Sequence, residues 1–177
     1  RIAGKPGVFM LTTGPCSINA FNGVFWAFTV SIPMIAISGQ VKRETCLSFH
    51  DLSDLRQLGD QEGPTVAMAA SICKSATLIR EAADVQTVLP TAYSLAIGGR
   101  PGPVWIDVPL DVQSSKEALR IPDPDPVPPA PHTGLEADCL TIVERLKQSH
   151  RPLLLCGTGV RLAGATELLS QLVDQAG

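Results

Sequence analysis

Short runs of apolar residues recur along the chain, separated by segments with a helical pattern. Residues 8–12, 34–38 and 104–108 are almost continuously apolar instead of alternating with polar residues. That pattern is typical of strands buried on both faces of a parallel sheet. Between them, residues 17–29 and 81–97 predict helices, the second from an apolar stripe at helical spacing. The order of elements predicts an α/β fold, a parallel sheet with helices on both faces.

The remaining segments of this first part are less regular. Residues 42–63 are polar and broken by two glycines, which predicts a loop with a short helix near Leu52–Leu58. Residues 67–78 fit a strand or a helix equally well. Pro90 lies inside the predicted helix 81–97 and should kink it or begin a second piece.

A proline-rich segment separates this first part from the rest of the chain. Six prolines lie between residues 121 and 132, which predicts an extended, semi-rigid connector. A proline-rich ligand for an SH3-type partner is the alternative. Beyond it we predict a helix over 135–146, a strand over Leu153–Cys156 and a helix over 162–173. One strand cannot make an independent sheet, so the chain looks truncated within a second α/β domain.

Composition and charge narrow the function classes. Of the 177 residues, 45% are apolar, which is enough to form a hydrophobic core. Only 18% are charged, a fraction lower than is typical of a disordered chain. The net charge of −3, without a basic cluster among aromatic residues, argues against nucleic-acid binding. No apolar run is long enough to predict a membrane helix.

The cysteines and histidines predict neither disulfides nor a metal site. The five cysteines are scattered, with no C-x-x-C pair, and the three histidines are isolated. This usage indicates free thiols in a reducing cytoplasm, most of them small buried apolar groups.

The segment Thr13-Gly14-Pro15 is the first candidate for chemistry. It lies between a predicted strand and a predicted helix, and such turns in parallel sheets lie at the edge where ligands bind. Ser17 is expected to cap the helix, with the free N–H groups facing a ligand. An ordinary strand-to-helix loop is the alternative.

Two further segments give the turn a family context. With residues 31–41 (Ser-Ile-Pro-Met-Ile-Ala-Ile-Ser-Gly-Gln-Val) and 99–113 (Gly-Arg-Pro-Gly-Pro through Val-Gln), it resembles the pyrimidine-binding domain of thiamine-diphosphate enzymes of the acetolactate synthase and pyruvate oxidase type. The resemblance implies a pyrimidine-binding α/β domain over 1–115, lacking its N-terminal part, and a proline-rich linker over 116–134. Residues 135–177 then look like the truncated beginning of a central α/β domain.

The resemblance also implies which residues touch the cofactor. Thr13, Gly14, Pro15, Asn19 and Gln61 match positions in the wall of the family's pyrimidine pocket, although Gln61 would equally fit an exposed loop.

The resemblance places no catalytic residue in this chain. The family's catalytic Glu promotes the imino tautomer of the cofactor, and it is expected before residue 1. Mg²⁺ and the diphosphate are held in the family by a Gly-Asp-Gly motif, to which Gly59-Asp60-Gln61 is the nearest string here. We therefore expect no metal ligand in this chain and no turnover by the chain alone.

Three departures from the family pattern bear on the cofactor. Cys16 replaces a usual Gly, and its side chain could narrow the pocket, or be strained if φ must be positive there. Val30 replaces a frequent Asp, and Gly63-Pro64 replaces an acidic or apolar pair.

The function implied is that of a fragment of a thiamine-diphosphate enzyme acting on 2-keto acids. Acetolactate-synthase-like carboligation or decarboxylation is expected, with Mg²⁺, in a homodimer or homotetramer, with no nucleic-acid or membrane partner. Some relatives hold FAD or ADP in their central domain. The alternatives are a non-catalytic α/β interaction module, suggested by Cys16, and a dinucleotide-binding protein, suggested by Gly157-Thr158-Gly159.

Overall fold

The computed structural model describes residues 5–126 and 133–176. The chain divides into two compact units, Arg1–Ala130 and Pro131–Gly177. Helices and strands of the first unit are, in chain order, β1 (Gly7–Leu11), α1 (Pro15–Thr29), β2 (Met34–Gln40), α2 (Thr65–Ala69), β3 (Ser75–Leu78), α3 (Val85–Ile97), β4 (Pro103–Pro109) and α4 (Leu110–Gln113). The second unit contains α5 (Leu135–Gln148), α6 (Gly159–Leu162) and α7 (Thr166–Ala176).

The first unit is built on a four-stranded sheet whose hydrogen-bonded pairs are all parallel, in the order β1-β2-β4-β3. In register, Leu11 lies opposite Ser38, and Ser38 lies opposite Asp107. The carboxyl ends of β1, β2 and β4 therefore meet at one edge, as expected for a parallel sheet.

Helices pack on both faces of this sheet, which confirms the predicted fold class. One core contains Val24 of α1, Ala69 of α2 and Trp105 of β4. The Phe21 ring of α1 lies 5.1 Å from the Trp105 ring, between centroids, in a tilted arrangement that aromatic pairs favour. The core on the opposite face contains residues of β2, β4 and α3, namely Ile35, Val104, Ile106, Ala92 and Ala96.

The nearly continuous apolar strands follow from this layering. Successive side chains of a strand point to opposite faces, and both faces are covered at β2 and β4. The cover is incomplete at β1, where Val8 and Met10 are exposed.

The three predicted strands of the first part are confirmed with small changes of bounds. Two less definite predictions become more specific in the structure. The ambiguous residues 67–78 divide between the end of α2 and β3. The helix around Pro90 continues as one element, and Gly98 ends it, its N–H bonding the Ser94 carbonyl.

Two element predictions are wrong. No helix forms at Leu52–Leu58; two short 3₁₀ turns, Arg43–Thr45 and Leu47–Phe49, precede it instead. Leu153–Cys156 forms no strand, although it is as apolar as those that do. A strand needs a neighbour for its backbone N–H and C=O groups, and no strand partner for this segment lies within the described residues.

In its described part the second unit contains three helices, joined by irregular segments, and no strand. In α5 the first turn carries Glu136 and Asp138 and the last turn carries Arg145 and Lys147, a distribution that stabilises the helix dipole. Among the residues described, no helix has both the length and the apolar character needed to cross a membrane.

Candidate functional site

A tight turn joins β1 to α1 at the carboxyl edge of the sheet. Gly14 occupies the position before the helix with φ 58° and ψ −116°, and Pro15 opens α1. A positive φ is easily adopted by glycine and disfavoured for residues with a Cβ, and proline is well suited to the first helical position. The sequence Gly-Pro is therefore the local reason for the abrupt change from strand to helix.

The predicted cap at Ser17 is wrong. Ser17 lies inside α1, is fully buried, and donates its hydroxyl to the Thr12 carbonyl oxygen (2.9 Å). No side chain caps the helix, because Gly14 fills the cap position. Ser17 instead ties the first turn of α1 back to the chain leaving β1.

The turn is in direct contact with the loop that carries Gln61. A Cβ added to Gly14 would overlap the Gln61 carbonyl oxygen, and a Cβ added to Gly63 would lie 3.8 Å from the Gly14 Cα. Gln61 has φ 57°, a conformation that non-glycine residues rarely adopt. The structure thus brings Thr13, Gly14, Pro15 and Gln61 together although Gln61 is far away in sequence.

Glu62 holds this loop in place. Its carboxylate accepts hydrogen bonds from the backbone N–H groups of Leu47 (2.6 Å), Leu58 (2.9 Å) and Gly59 (3.1 Å). Partial burial opposes ionisation of Glu62, but these bonds outweigh it and lower its pKa. The negative charge of Glu62 therefore organises the loop that presents its neighbour Gln61.

A buried polar network lies at the ends of β2 and β4. The Asp107 carboxylate, 1% exposed, accepts hydrogen bonds from Ser38 Oγ, Gln40 Nε2 (2.8 Å) and Thr65 Oγ1 (2.7 Å). Trp105 Nε1 donates to Ser38 Oγ (2.8 Å). Burial raises the pKa of Asp107, and the three donors oppose that rise.

Gln40 extends this network to the turn and the loop. Thr13 Oγ1 donates to Gln40 Oε1 (3.2 Å), and Gln40 Nε2 also donates to the Gly63 carbonyl oxygen (3.1 Å). Neither Gln40 nor Asp107 was a predicted site residue. Their signal in the sequence is a polar residue at the end of each apolar strand, at the edge where ligands bind.

The predicted pocket residues differ in exposure. Gly14 is buried, Thr13 is half-buried, and Pro15, Asn19 and Gln61 are exposed. Asn19 lies on α1 four positions after Pro15, so both are on the same side of the helix. Among the described residues, no hydrogen bond joins the Asn19 side chain to the Gln61 loop.

Cys16 is exposed at the start of α1 and is not among the residues with positive φ. The condition under which Cys16 would be strained, a positive φ, is therefore not met, and narrowing of the pocket stays a prediction. The expectation that most cysteines are buried is also wrong, because only Cys46 and Cys73 are, whereas Cys139 and Cys156 are exposed. Burial raises the pKa of Cys73 to about 12.

The five predicted residues offer neutral hydrogen-bonding groups and an apolar surface. The amides of Asn19 and Gln61 each offer a donor and an acceptor, and Pro15 offers an apolar surface. None of the five predicted residues carries a charge that would hold a diphosphate. Within the described part of the chain, no three His, Cys, Asp or Glu residues cluster as metal ligands would.

Comparison with known proteins gives a consistent result. Residues 1–63 match the family described as thiamine pyrophosphate enzyme, N-terminal TPP binding domain. The chain is 35% identical over 178 residues to the acetolactate synthase large subunit of Lactococcus lactis subsp. lactis (strain IL1403), covering 99% of the chain and 29% of that protein.

Two further relatives extend the comparison. The chain is 35% identical over 175 residues to glyoxylate carboligase of Escherichia coli O157:H7, covering 97% of the chain and 28% of that protein. It is 32% identical over 186 residues to the chloroplastic acetolactate synthase of Arabidopsis thaliana, covering 100% of the chain and 25% of that protein. The chain thus spans between a quarter and a third of the length of these relatives.

Proposed function

The chain belongs to the family of thiamine-diphosphate-dependent enzymes, and on that premise we propose that it is the pyrimidine-binding part of a longer enzyme acting on 2-keto acids. The reaction proposed is carboligation or decarboxylation of the acetolactate synthase type. The observation that carries the proposal is the contact between the Gly14-Pro15 turn and Gln61 at the ligand-binding edge of the sheet.

Each matched residue has a specific part in this proposal. Pro15 would offer an apolar surface to the aminopyrimidine ring, and the amides of Asn19 and Gln61 would offer it hydrogen-bonding groups. Thr13 and Gly14 set the shape of the turn. When bound, thiamine diphosphate would supply a carbon nucleophile for reaction with a 2-keto acid. The residues of this chain bind and orient the ring; Mg²⁺, the diphosphate and the proton-transferring Glu are assigned to other parts of the enzyme.

A second copy of the protein is part of the proposal. Helix α1 exposes three large apolar side chains, Ile18, Phe25 and Trp26, each by 43% or more. Exposed large apolar side chains on one helix favour a protein interface. We propose that α1 packs against the partner subunit through these side chains, so that the site is completed in a homodimer or homotetramer. Light scattering of the full-length protein tests the assembly.

The domain limits proposed are those implied by the resemblance: the pyrimidine-binding domain over 1–115, a linker over 116–134 and the start of a central domain over 135–177. We further propose that this central domain can hold FAD or ADP, as in some relatives. Flavin absorbance of the purified full-length protein tests the presence of FAD. A cytoplasmic location is proposed from the cysteines, which are all free.

The test of this function uses the full-length protein with pyruvate or glyoxylate, thiamine diphosphate and Mg²⁺. We expect consumption of the 2-keto acid with release of CO₂ and formation of a ligated product, and loss of the reaction when thiamine diphosphate is omitted. Absence of both cofactor binding and 2-keto acid consumption would overturn the proposal and favour a non-catalytic interaction module.

The dinucleotide alternative has less support from the structure. A dinucleotide fingerprint needs a strand before its glycines and a helix after them. Residues 153–156 form no strand, and α6, which begins at Gly159, has four residues.

A further inference from the structure

Both polar atoms of the Gln40 side chain are hydrogen-bonded, and the residue is only 6% exposed. Its Oε1 accepts from Thr13 Oγ1 (3.2 Å) and from the Val41 N–H (2.9 Å). Its Nε2 donates to the Gly63 carbonyl oxygen (3.1 Å) and to Asp107 Oδ2 (2.8 Å). One buried amide therefore bonds both the turn after β1 and the loop that carries Gln61.

The orientation of this amide is fixed by its neighbours. Asp107 Oδ2 and the Gly63 carbonyl oxygen are both acceptors, so Nε2 must face them. A flipped amide would direct Oε1 at two acceptors and leave Nε2 facing the Val41 N–H. Asp107 thus determines which end of Gln40 is available to Thr13.

We propose that Gln40 is a positioning residue that fixes the relative position of the two segments that form the wall of the pyrimidine site, Thr13–Pro15 and Gln61–Gly63, which touch each other at Gly14. This inference rests on the function proposed above. Gln40 does not touch the cofactor; it acts through Thr13 and through the Gly63 carbonyl. Its replacement would let the Gln61 loop move away from Gly14, and the ring would lose its contacts with that loop.

A merely structural role for Gln40 makes a different prediction, and Ser38 provides the matched control. Ser38 bonds the same Asp107 carboxylate and accepts from Trp105 Nε1, so its hydrogen bonds go to the network beneath the site and to neither segment. Ser38→Ala therefore weakens the network, whereas Gln40→Leu also disconnects the two segments. Thr13→Val removes only the hydroxyl that bonds Gln40, and serves as a second variant if Gln40→Leu fails to fold.

The experiment measures the Kd of thiamine diphosphate by calorimetry, in the presence of Mg²⁺, for the full-length protein and these variants. We expect Gln40→Leu to raise the Kd about tenfold or more, Thr13→Val to raise it severalfold, and Ser38→Ala to change it by less than about threefold. The double variant Thr13→Val/Gln40→Leu should bind no more weakly than Gln40→Leu. Both substitutions remove the same hydrogen bond, the one between Thr13 and Gln40, so the second adds nothing to the first.

A second readout is independent of the cofactor. Hydrogen exchange of the Glu62 and Gly63 amides, without ligand, should speed up in Gln40→Leu more than in Ser38→Ala. Equal effects of Gln40→Leu and Ser38→Ala on both the Kd and the exchange would overturn the inference. If the unmodified protein binds no thiamine diphosphate, the proposed function fails, and the exchange comparison still decides whether Gln40 joins the two segments.

Discussion

Gly14 and Gln61 lie in backbone contact, and both have a positive φ, of 58° and 57°. Glycine adopts this conformation freely, whereas a glutamine in it is strained by about 1 kcal/mol or more. Strain of this kind persists only where the surroundings impose it, and here Glu62 and Gln40 hold the loop on both sides of Gln61.

Replacement of Gln61 by glycine separates its backbone role from its side-chain role. Gln61→Gly should raise the free energy of unfolding by about 1 kcal/mol because the strain is relieved. It should nevertheless weaken thiamine diphosphate binding, because the amide is lost. Ser31→Gly is the control for cofactor binding, since Ser31 also has a positive φ of 56° but bonds Arg100 instead of a site residue. A Kd unchanged in Gln61→Gly would contradict a contact between the side chain and the cofactor.

Asp107 is expected to be essential for stability. Asp107→Leu would leave the buried donors of Ser38, Gln40 and Thr65 without their acceptor, which should lower the free energy of unfolding by about 3 kcal/mol or more. Asp107→Asn keeps one acceptor oxygen and should cost about half as much or less. Urea denaturation of the two variants gives the comparison, and equal losses would contradict the network as described.

The hydrogen bonds that Glu62 accepts from the loop predict that the stability of the protein depends on pH. Because the pKa of Glu62 in the folded protein is below its ordinary value of 4.5, its contribution to stability is present above pH 4.5 and is lost as the pH falls through the lowered pKa. Glu62→Gln should increase hydrogen exchange at Leu47, Leu58 and Gly59 at neutral pH.

Glu44→Gln is the matched control for Glu62→Gln, because Glu44 makes only a surface ion pair with Lys42 (3.7 Å) among its recorded ionic contacts. The difference in melting temperature between the unmodified protein and Glu62→Gln should shrink in acid. A difference that stays constant from neutral pH to pH values well below 4.5 would contradict the assigned role.

The thiol of Cys16 reports on the site without a mutation. It is exposed next to Pro15, so thiamine diphosphate should slow its alkylation by N-ethylmaleimide severalfold in the full-length protein. The labelling of Cys139 and Cys156, in the second unit, should not respond, and Cys73, with a pKa of about 12, should stay unlabelled. Mass spectrometry of the labelled peptides measures the rate at each cysteine. If thiamine diphosphate leaves the alkylation rate of Cys16 unchanged, Cys16 does not lie beside the bound ring.

The sheet could be predicted from the sequence because burial leaves a local signal. Residues 34–37 are apolar on both faces, and they form the first part of β2. Leu153–Cys156 carries the same signal and forms no strand. An apolar run reports the tendency to be buried, whereas strand formation also requires a neighbour with which to exchange hydrogen bonds.

The candidate site was predictable only in part, for a similar reason. The turn at Gly14-Pro15 has a local signature, and the resemblance to a known family pointed to Gln61. The contact between Gly14 and Gln61, and the link through Gln40, depend on how distant segments meet in the fold. A polar residue at the end of an apolar strand, such as Asp107, marks the place but not its partners.

The measurement that tests the account most directly compares two glycines of the same region. A Cβ at Gly14 would overlap the Gln61 carbonyl oxygen, whereas a Cβ at Gly23, in the middle of α1, would meet nothing within 4 Å. The Kd of thiamine diphosphate is measured by calorimetry for the full-length protein, Gly14→Ala and Gly23→Ala. We predict binding by the unmodified protein, unchanged binding by Gly23→Ala, and binding at least about tenfold weaker by Gly14→Ala. Equal binding by both variants, or no binding by the unmodified protein, would contradict the assignment of this turn to the cofactor.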